Sequence, residues 1–363
     1  MRFRSVARQK WPEAAILTAT IFIFGIKGVF SFLGTRDLAG RDLVGNYAFT
    51  HLMQQNLLNG QVFAWSNQWL LGFPSFELYP PLFFVFTSLL NLVTGQIFGL
   101  QFWFKLVVFS SLFFLPLLVY ILLEDVFGRE ESLFAGIYML LFIFVYTPVS
   151  QAYQVLSTGM VAQGFSFFLL IASTGFMLRD DRRSKIIAGV LLGATALSHP
   201  FVALAGFFLS GFILLLDRRP DNIIPGTIGA VIFIPWLLIA IQNLPYTPSF
   251  MFAAANTGKF LYLILPLILL GGYRGVKRRS LLFTFFALLL VSTQELPIIT
   301  QELRFYTYAL GFGSILAGLG AHEILEYLEE TYSIDRRILV GILLLPALGF
   351  SLHADLPRTW DFE

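Results

Sequence analysis

The sequence predicts an all-α integral membrane protein: a polytopic helix bundle of about 11–12 hydrophobic segments, with an extracytoplasmic amphipathic-helix cap after the first span. Three observations lead there. Of 363 residues, 57% are hydrophobic and 17% aromatic against 13% charged, with a mean hydropathy of +0.76, and no soluble core could absorb that much apolar surface. Basic residues fall in short clusters between apolar runs, as membrane topology places them. One long stretch, residues 36–82, is instead polar and aromatic, with Tyr47, Phe49, Phe63, Trp65, Trp69, Phe73, Phe76 and Tyr79 along it. A loop of that length and aromatic content is an ordered functional segment and not a disordered linker.

The same counts exclude other classes. A formal charge of +2 gives no electrostatic footprint for nucleic acid, and the absence of cysteine rules out disulfides and thiolate-ligated metal. His51, His199, His322 and His353 show no i, i+4 pairing of the kind that ligates a metal.

In chain order, Arg2, Arg4, Arg8 and Lys10 precede an apolar run at 12–33 that has no small-residue cleavage site after it. It reads as a retained span with a cytosolic N-terminus, which puts the 34–79 cap on the extracytoplasmic face. Inside the cap, Asp42, Asn46 and Thr50 recur every fourth residue opposite Val44, Tyr47, Ala48, Leu52 and Leu58, predicting an amphipathic helix over about 42–58 that turns its polar face from lipid. Pro74 and the pair Pro80 and Pro81 then forbid a continuous helix through GFPSFELYPP.

Hydrophobic runs follow at about 80–98, 102–123, 133–149, 160–178, 186–198, 200–216, 223–243, 259–273, 280–293, 304–320 and 338–352, most near the ~20 residues that a crossing needs. The clusters at 179–185, 217–221 and 274–279 should be cytosolic, so one of the four runs between cap and first cluster must fail to cross. The 80–98 run, which opens on two prolines and carries Asn91, Thr94, Gly95 and Gln96, is assigned to dip and return under cover of protein. Between Lys185 and Asp217 there is room only for two short helices meeting at Ser198, His199 and Pro200, which carries a histidine to a cavity below the outer face. This parity gathers the cap, Gln151, Gln154, Lys259, Gln294, Glu295, Glu302 and Arg304 on one side. Residues 321–337, with four glutamates, read as a solvated cytosolic extension without chemistry. The whole chain, 1–363, reads as a single transmembrane domain.

Two carboxylates, Asp37 and Asp42, sit just beyond the first span, where burial can tune a general base. The alternative is structural, with Asp42 capping the cap helix and Asp37 pairing with Arg36 or Arg41. Arg304, beside Glu302 and ahead of Tyr306 and Tyr308, can clamp a phosphate or anchor the membrane interface. His199 is a cavity ligand or a packed side chain, and Lys27 a snorkelling residue.

An acid shortly after the first helix, a histidine nine residues on, then Gly60 to Trp65 and GFPSFELYPPL at 72–82, resembles the first outer loop of GT-C superfamily multispanning glycosyltransferases, in particular a prokaryotic, largely uncharacterised branch. ALSHPF at 196–201 and LRFYTY at 303–308 are similar to further features of that branch. The resemblance implies inverting transfer of a sugar from a polyprenyl- or dolichyl-phosphate carrier to an acceptor on the extracytoplasmic face. It makes Asp42, or failing that Asp37, the catalytic base. His51, Trp65, Tyr79, His199, Glu302 and Arg304 become substrate-binding residues, Arg304 on the lipid phosphate. The donor is the lipid-linked phosphosugar and the partners are membrane lipid and an unknown acceptor. No second Asp/Glu pair accompanies Asp42 to hold a divalent metal. The rival classes are a polytopic transporter or lipid flippase, which would show inverted repeats and ionisable residues at the bilayer midplane, and a non-catalytic membrane assembly partner.

Overall fold

The computed structural model describes residues 11–34, 38, 42–67, 72–144, 150–243, 258–292, 302–333, 335, 338 and 340, without the side chains of 73, 258–264 and 302–304. The basic N-terminus, Asp37, the links around 244–257 and 293–301, the 338–352 run and the tail at 353–363 therefore lie outside the described residues, in whole or nearly so.

Proline and glycine set where the helices begin and end. Helix α1 (Trp11–Ile26) is followed by a single turn, α2 (Ser31–Gly34), and the cap helix α3 (Leu43–Leu58). Strands β1 (Ala64–Ser66) and β2 (Phe73–Ser75) pair antiparallel, Trp65 opposite Pro74, in a two-stranded ribbon. After Pro80 and Pro81 comes α4 (Leu82–Val93). Then follow α5 (Leu100–Phe113), α6 (Leu115–Phe127) and α7 (Arg129–Phe144), with Gly99 at φ 75° and Gly128 at φ 102° allowing the turns before α5 and α7. A π-helical turn, Tyr153–Ser157, precedes α8 (Val161–Met177), α9 (Arg182–Ser198) and α10 (Pro200–Leu216), the last opened by its proline. The bundle continues with α11 (Ile224–Asn243), α12 (Gly258–Gly272), α13 (Gly275–Ser292) and α14 (Glu302–Tyr332).

Most helices match the apolar runs read from the sequence, and many fall short of a full crossing. Among the described residues, Pro220–Asn243 and Phe305–Tyr332 are long and apolar enough to cross a membrane, and a third span results if α5 and α6, bent by 48°, count as one. Helix α4, at 12 residues, rises only about 18 Å, too little for a ~30 Å core. Helices α9 and α10 have 17 residues each and turn at His199, as the spacing demanded.

The core is aromatic. Phe24 meets Phe109, Phe113 and Phe144 at 5.7, 5.3 and 5.1 Å, all edge to face, a geometry that ring quadrupoles favour. Helix α14 is the central post, buried along most of its length. Its backbone touches α12, where a Cβ added at Gly320 would meet the Leu267 carbonyl carbon at 2.9 Å and the Gly271 nitrogen at 3.0 Å. Small residues at such crossings let helices approach to backbone contact.

Ion pairs gather at one end of the bundle. Asp180 holds Arg219 at 3.0 Å and Lys277 at 2.9 Å, which joins all three basic clusters. Arg179 reaches Asp125 at 2.9 Å, adding the 124–132 link to the same end. Glu323 binds Arg278 at 2.6 Å and Arg274 at 2.7 Å. This corrects the expectation of a solvated 321–337 extension: Glu323 and His322 are enclosed by charge partners and Phe134, and solvation begins near Glu326. The lysine and arginines of the basic clusters require counter-charges, and the extension supplies one.

Candidate active site in the cap

The cap closes the other end. Helix α8 starts beside the cap and finishes at the ion-pair end, so its 17 residues separate the two by roughly 25 Å.

The expected amphipathic division of α3 is not found, because its buried side includes Leu43 and Met53 and its exposed side His51 and Gln55, but the polar stripe does point into the protein. Asn46, Thr50 and Gln54 are buried while Val44 and Leu58 are exposed. Ser88 of α4 donates to the Thr50 carbonyl at 3.0 Å, and Asn91 donates to the Gln54 side chain at 2.8 Å. These bonds hold the cap helix against α4. Partial burial of Tyr47, packed against Phe104, raises its phenol above the ordinary value of 10.0.

Asp42 occupies the N-cap position of α3 and is exposed, yet its side chain makes no capping hydrogen bond. An aspartate there ordinarily accepts from the second or third amide of the helix. Here the backbone is held from outside instead. The Asp42 amide donates to the Thr158 carbonyl at 2.9 Å, and Asn46 Nδ2 donates at 2.9 Å both to the Asp42 carbonyl and to the Gly159 carbonyl. Gly159, at φ 85°, lies so close that an added Cβ would fall on the Leu43 nitrogen.

From that contact a buried polar line runs inward. The Thr158 hydroxyl donates to the Gln154 carbonyl, and the Met160 amide to the same carbonyl at 2.9 Å. Gln163 Nε2 donates to Gln154 Oε1 at 2.5 Å, and Gln154 Nε2 donates to the Thr307 hydroxyl at 2.7 Å. Thr307 lies one turn into α14 from Arg304. Helices α8 and α9 run antiparallel, Ser166 donating to the Thr195 carbonyl and Ser173 to the Ala188 carbonyl, and the same register sets Gln163 opposite Ser198. His199 follows, buried at the α9–α10 turn, its ring 5.9 Å from Phe201, which in turn packs 6.0 Å from Phe305. The N-terminus of α3, the His199 turn and the first turns of α14 thus converge.

Other expected residues sit apart. His51 is exposed, its Nε2 3.1 Å from Gln55 Nε2; nine helical residues put it on the opposite side of α3 from Asp42. Trp65 is 59% exposed on β1, over Gly72, where a Cβ would strike its ring. Tyr79 stacks on Phe49 at 5.5 Å and 11°. The ribbon is clamped to α11 by Trp236 donating to the Phe76 carbonyl at 2.9 Å and by Asn243 donating to Glu77 at 2.8 Å. Glu302 and Arg304 open α14, with side chains outside the described residues, as is Asp37. Among the described residues no three His, Cys, Asp or Glu side chains come together as a metal site.

Gly159, Gln163 and Asn46 were not singled out from the sequence as site residues. Asn46 was visible on the polar stripe, but only the fold shows that it reaches Gly159, 113 residues away.

No family model and no curated protein matches the chain. Solved structures do. It is similar to the oligosaccharyltransferase AglB of Archaeoglobus fulgidus, in complex with an inhibitory peptide and a dolichol-phosphate, at TM-score 0.66 and 14% identity over 97% of this chain and 56% of that one. It is also similar to ArnT of Cupriavidus metallidurans in the apo state, at TM-score 0.54 and 14% identity over 92% of this chain and 70% of that one. At this identity the shared feature is the fold, and this chain spans 56% of AglB's length.

Proposed function

We propose that this protein is a membrane glycosyltransferase that moves a sugar from a polyprenyl- or dolichyl-phosphate carrier to an acceptor on the extracytoplasmic face, with inversion. Asp42 takes the proton of an acceptor hydroxyl as its oxygen bonds to the anomeric carbon. The bond from that carbon to the phosphate oxygen breaks with its electron pair on the leaving lipid phosphate, whose charge Arg304 neutralises. His199 and Glu302 offer hydrogen bonds to the sugar hydroxyls or the acceptor, and exposed Trp65 offers a ring face, whereas His51, on the opposite side of α3 from Asp42, and Tyr79, stacked on Phe49, are left out of the site. Asp37 is the alternative base, and the mechanism calls for no divalent metal. The chain would lie in the plasma membrane with its N-terminus and basic clusters cytosolic.

The observation that carries this reading is the carboxylate of Asp42, which stands at a helix N-terminus but takes no part in capping it. The likeness of the fold to an oligosaccharyltransferase solved with a dolichol-phosphate supports the reaction class. The test compares Asp42→Asn and Asp37→Asn in proteoliposomes, with radiolabelled polyprenyl-phosphate sugars as donors and endogenous membrane acceptors. The Asp42 side chain makes no capping bond and asparagine keeps its shape, so the Asp42 variant should fold normally while transfer falls by roughly 10²–10⁴. Full transfer by Asp42→Asn with loss in Asp37→Asn moves the base to Asp37; activity in both refutes a carboxylate base from this loop.

A further inference from the structure

Positioning a base within hydrogen-bond reach of its substrate is a separate problem from supplying one, because errors near 1 Å cost about 10²-fold in rate. Asp42 stands at the N-cap of α3, where its amide has no partner within the helix. Something must fix it there.

We infer that Asn46, Gly159 and Gln154 form a clasp that positions Asp42 against α14, an inference that rests on Asp42 being the base. The Asn46 carboxamide is buried and spans two carbonyls, that of Asp42 one turn back and that of Gly159 on the far segment, at 2.9 Å each. The Asp42 amide bonds to Thr158 next door. This outside bond fixes the Asp42 backbone without its own carboxylate, which remains available to a substrate. Gly159 is required twice over: its φ of 85° is one that other residues rarely adopt, and its lack of a Cβ allows the backbone of Leu43 to touch it.

The segment beyond is anchored at its other end. Gln154 sits in a π-helical turn, a form found as short bulges often at functional sites. Its side chain donates to Thr307 and accepts from Gln163, both buried, so the 154–159 segment is tied to α8 and α14 together. Asn46, Gly159 and Gln154 touch no reacting atom and are positioning residues. They set the distance between the cap acid and the helix that begins with Glu302 and Arg304.

The test uses the full chain in lipid nanodiscs. Asn46→Ser keeps a hydroxyl able to bond the Asp42 carbonyl within the helix but is too short for Gly159, so it opens the clasp and spares the helix. Asn46→Asp, which removes the amide donor at constant shape, and Gly159→Ala are the second and third variants. Two quantities are read: hydrogen exchange of the peptide covering Asp42 to Asn46, and kcat and donor KM with a radiolabelled polyprenyl-phosphate hexose. Exchange should accelerate tenfold or more, and kcat should fall by roughly 10–10²-fold with KM within about twofold. Unchanged exchange in Asn46→Ser overturns the clasp. So does faster exchange with unchanged kcat, provided that Asp42→Asn is inactive in the same assay. If Asp42→Asn retains full transfer, the base reading has failed by itself, and the exchange alone then decides whether the clasp exists.

Discussion

Replacing Glu323 with glutamine should loosen the end of the bundle farthest from the cap. Its carboxylate, with a side chain only 10% exposed, accepts from Arg278 at 2.6 Å and Arg274 at 2.7 Å. The two arginines differ. Arg278 is 11% exposed, lies over the Phe127 ring at 5.6 Å and has a second, longer contact to Glu131 at 3.4 Å. Arg274 is 59% exposed and can return to water. Breaking a buried pair from one side costs about 3–5 kcal/mol, because the remaining charge stays desolvated. Glu131 offsets part of this, so the lower end, about 3 kcal/mol or a ~10²-fold change in the folding equilibrium, is expected for Glu323→Gln. Arg274→Ala should cost no more than about 1 kcal/mol, the scale of an exposed pair.

Reversible unfolding in mixed micelles reads both values. The double replacement Glu323→Leu with Arg278→Met removes charge from both sides and should recover most of the loss, since apolar residues of similar volume often replace a buried pair without penalty. A Glu323→Gln variant within about 0.5 kcal/mol of the parent, or equal costs for Arg274→Ala and Arg278→Ala, would refute the view that this end is held by a desolvated pair.

Two further outcomes follow from other contacts. Gly320→Ala should destabilise by about 1–3 kcal/mol in the same unfolding assay, since its Cβ has backbone rather than a yielding side chain in its way, whereas Gly25→Ala, with nothing within 4 Å, should be neutral or slightly stabilising. At Asp180 partial burial raises the carboxyl's pKa, but hydrogen bonding to Lys277 and the charges of Lys277 and Arg219 outweigh it and hold the value below the usual 3.8. A depressed pKa gives stability that is present above 3.8 and lost as pH falls through the folded value, so the stability gap between parent and Asp180→Asn should close on acidification below that point.

The sequence carried the fold class because composition and run lengths follow from the solvent, and the bilayer constrains both strongly. It also carried the cap helix and the α9–α10 turn at His199, since each follows from residue spacing, from prolines and from counting residues between charged clusters; the shortness of α4 within the 80–98 run was not foreseen. The environment of the 321–337 segment was not legible. Four glutamates on a helix look solvated until the fold places Arg274 and Arg278 beside one of them, and that neighbour comes from about 45 residues upstream. Nor could helical phase on paper say that the polar stripe of α3 serves Ser88, Asn91 and Gly159.

Asp42 shows most clearly where reading a sequence ends. From residue type alone an aspartate before a helix is a cap, and as a cap it would need no partner outside that helix. The competing possibility depends on whether something else fixes the backbone at that point. In the fold, Thr158 takes the Asp42 amide and Asn46 bridges back to Gly159, contacts spanning 116 and 113 residues, so the structural task passes to groups no local pattern connects. Release from capping is what makes a chemical role for this carboxylate physically reasonable. The same release makes its position depend on a glycine and two amides, so loss of the clasp and loss of the acid should separate in hydrogen exchange while converging in kcat.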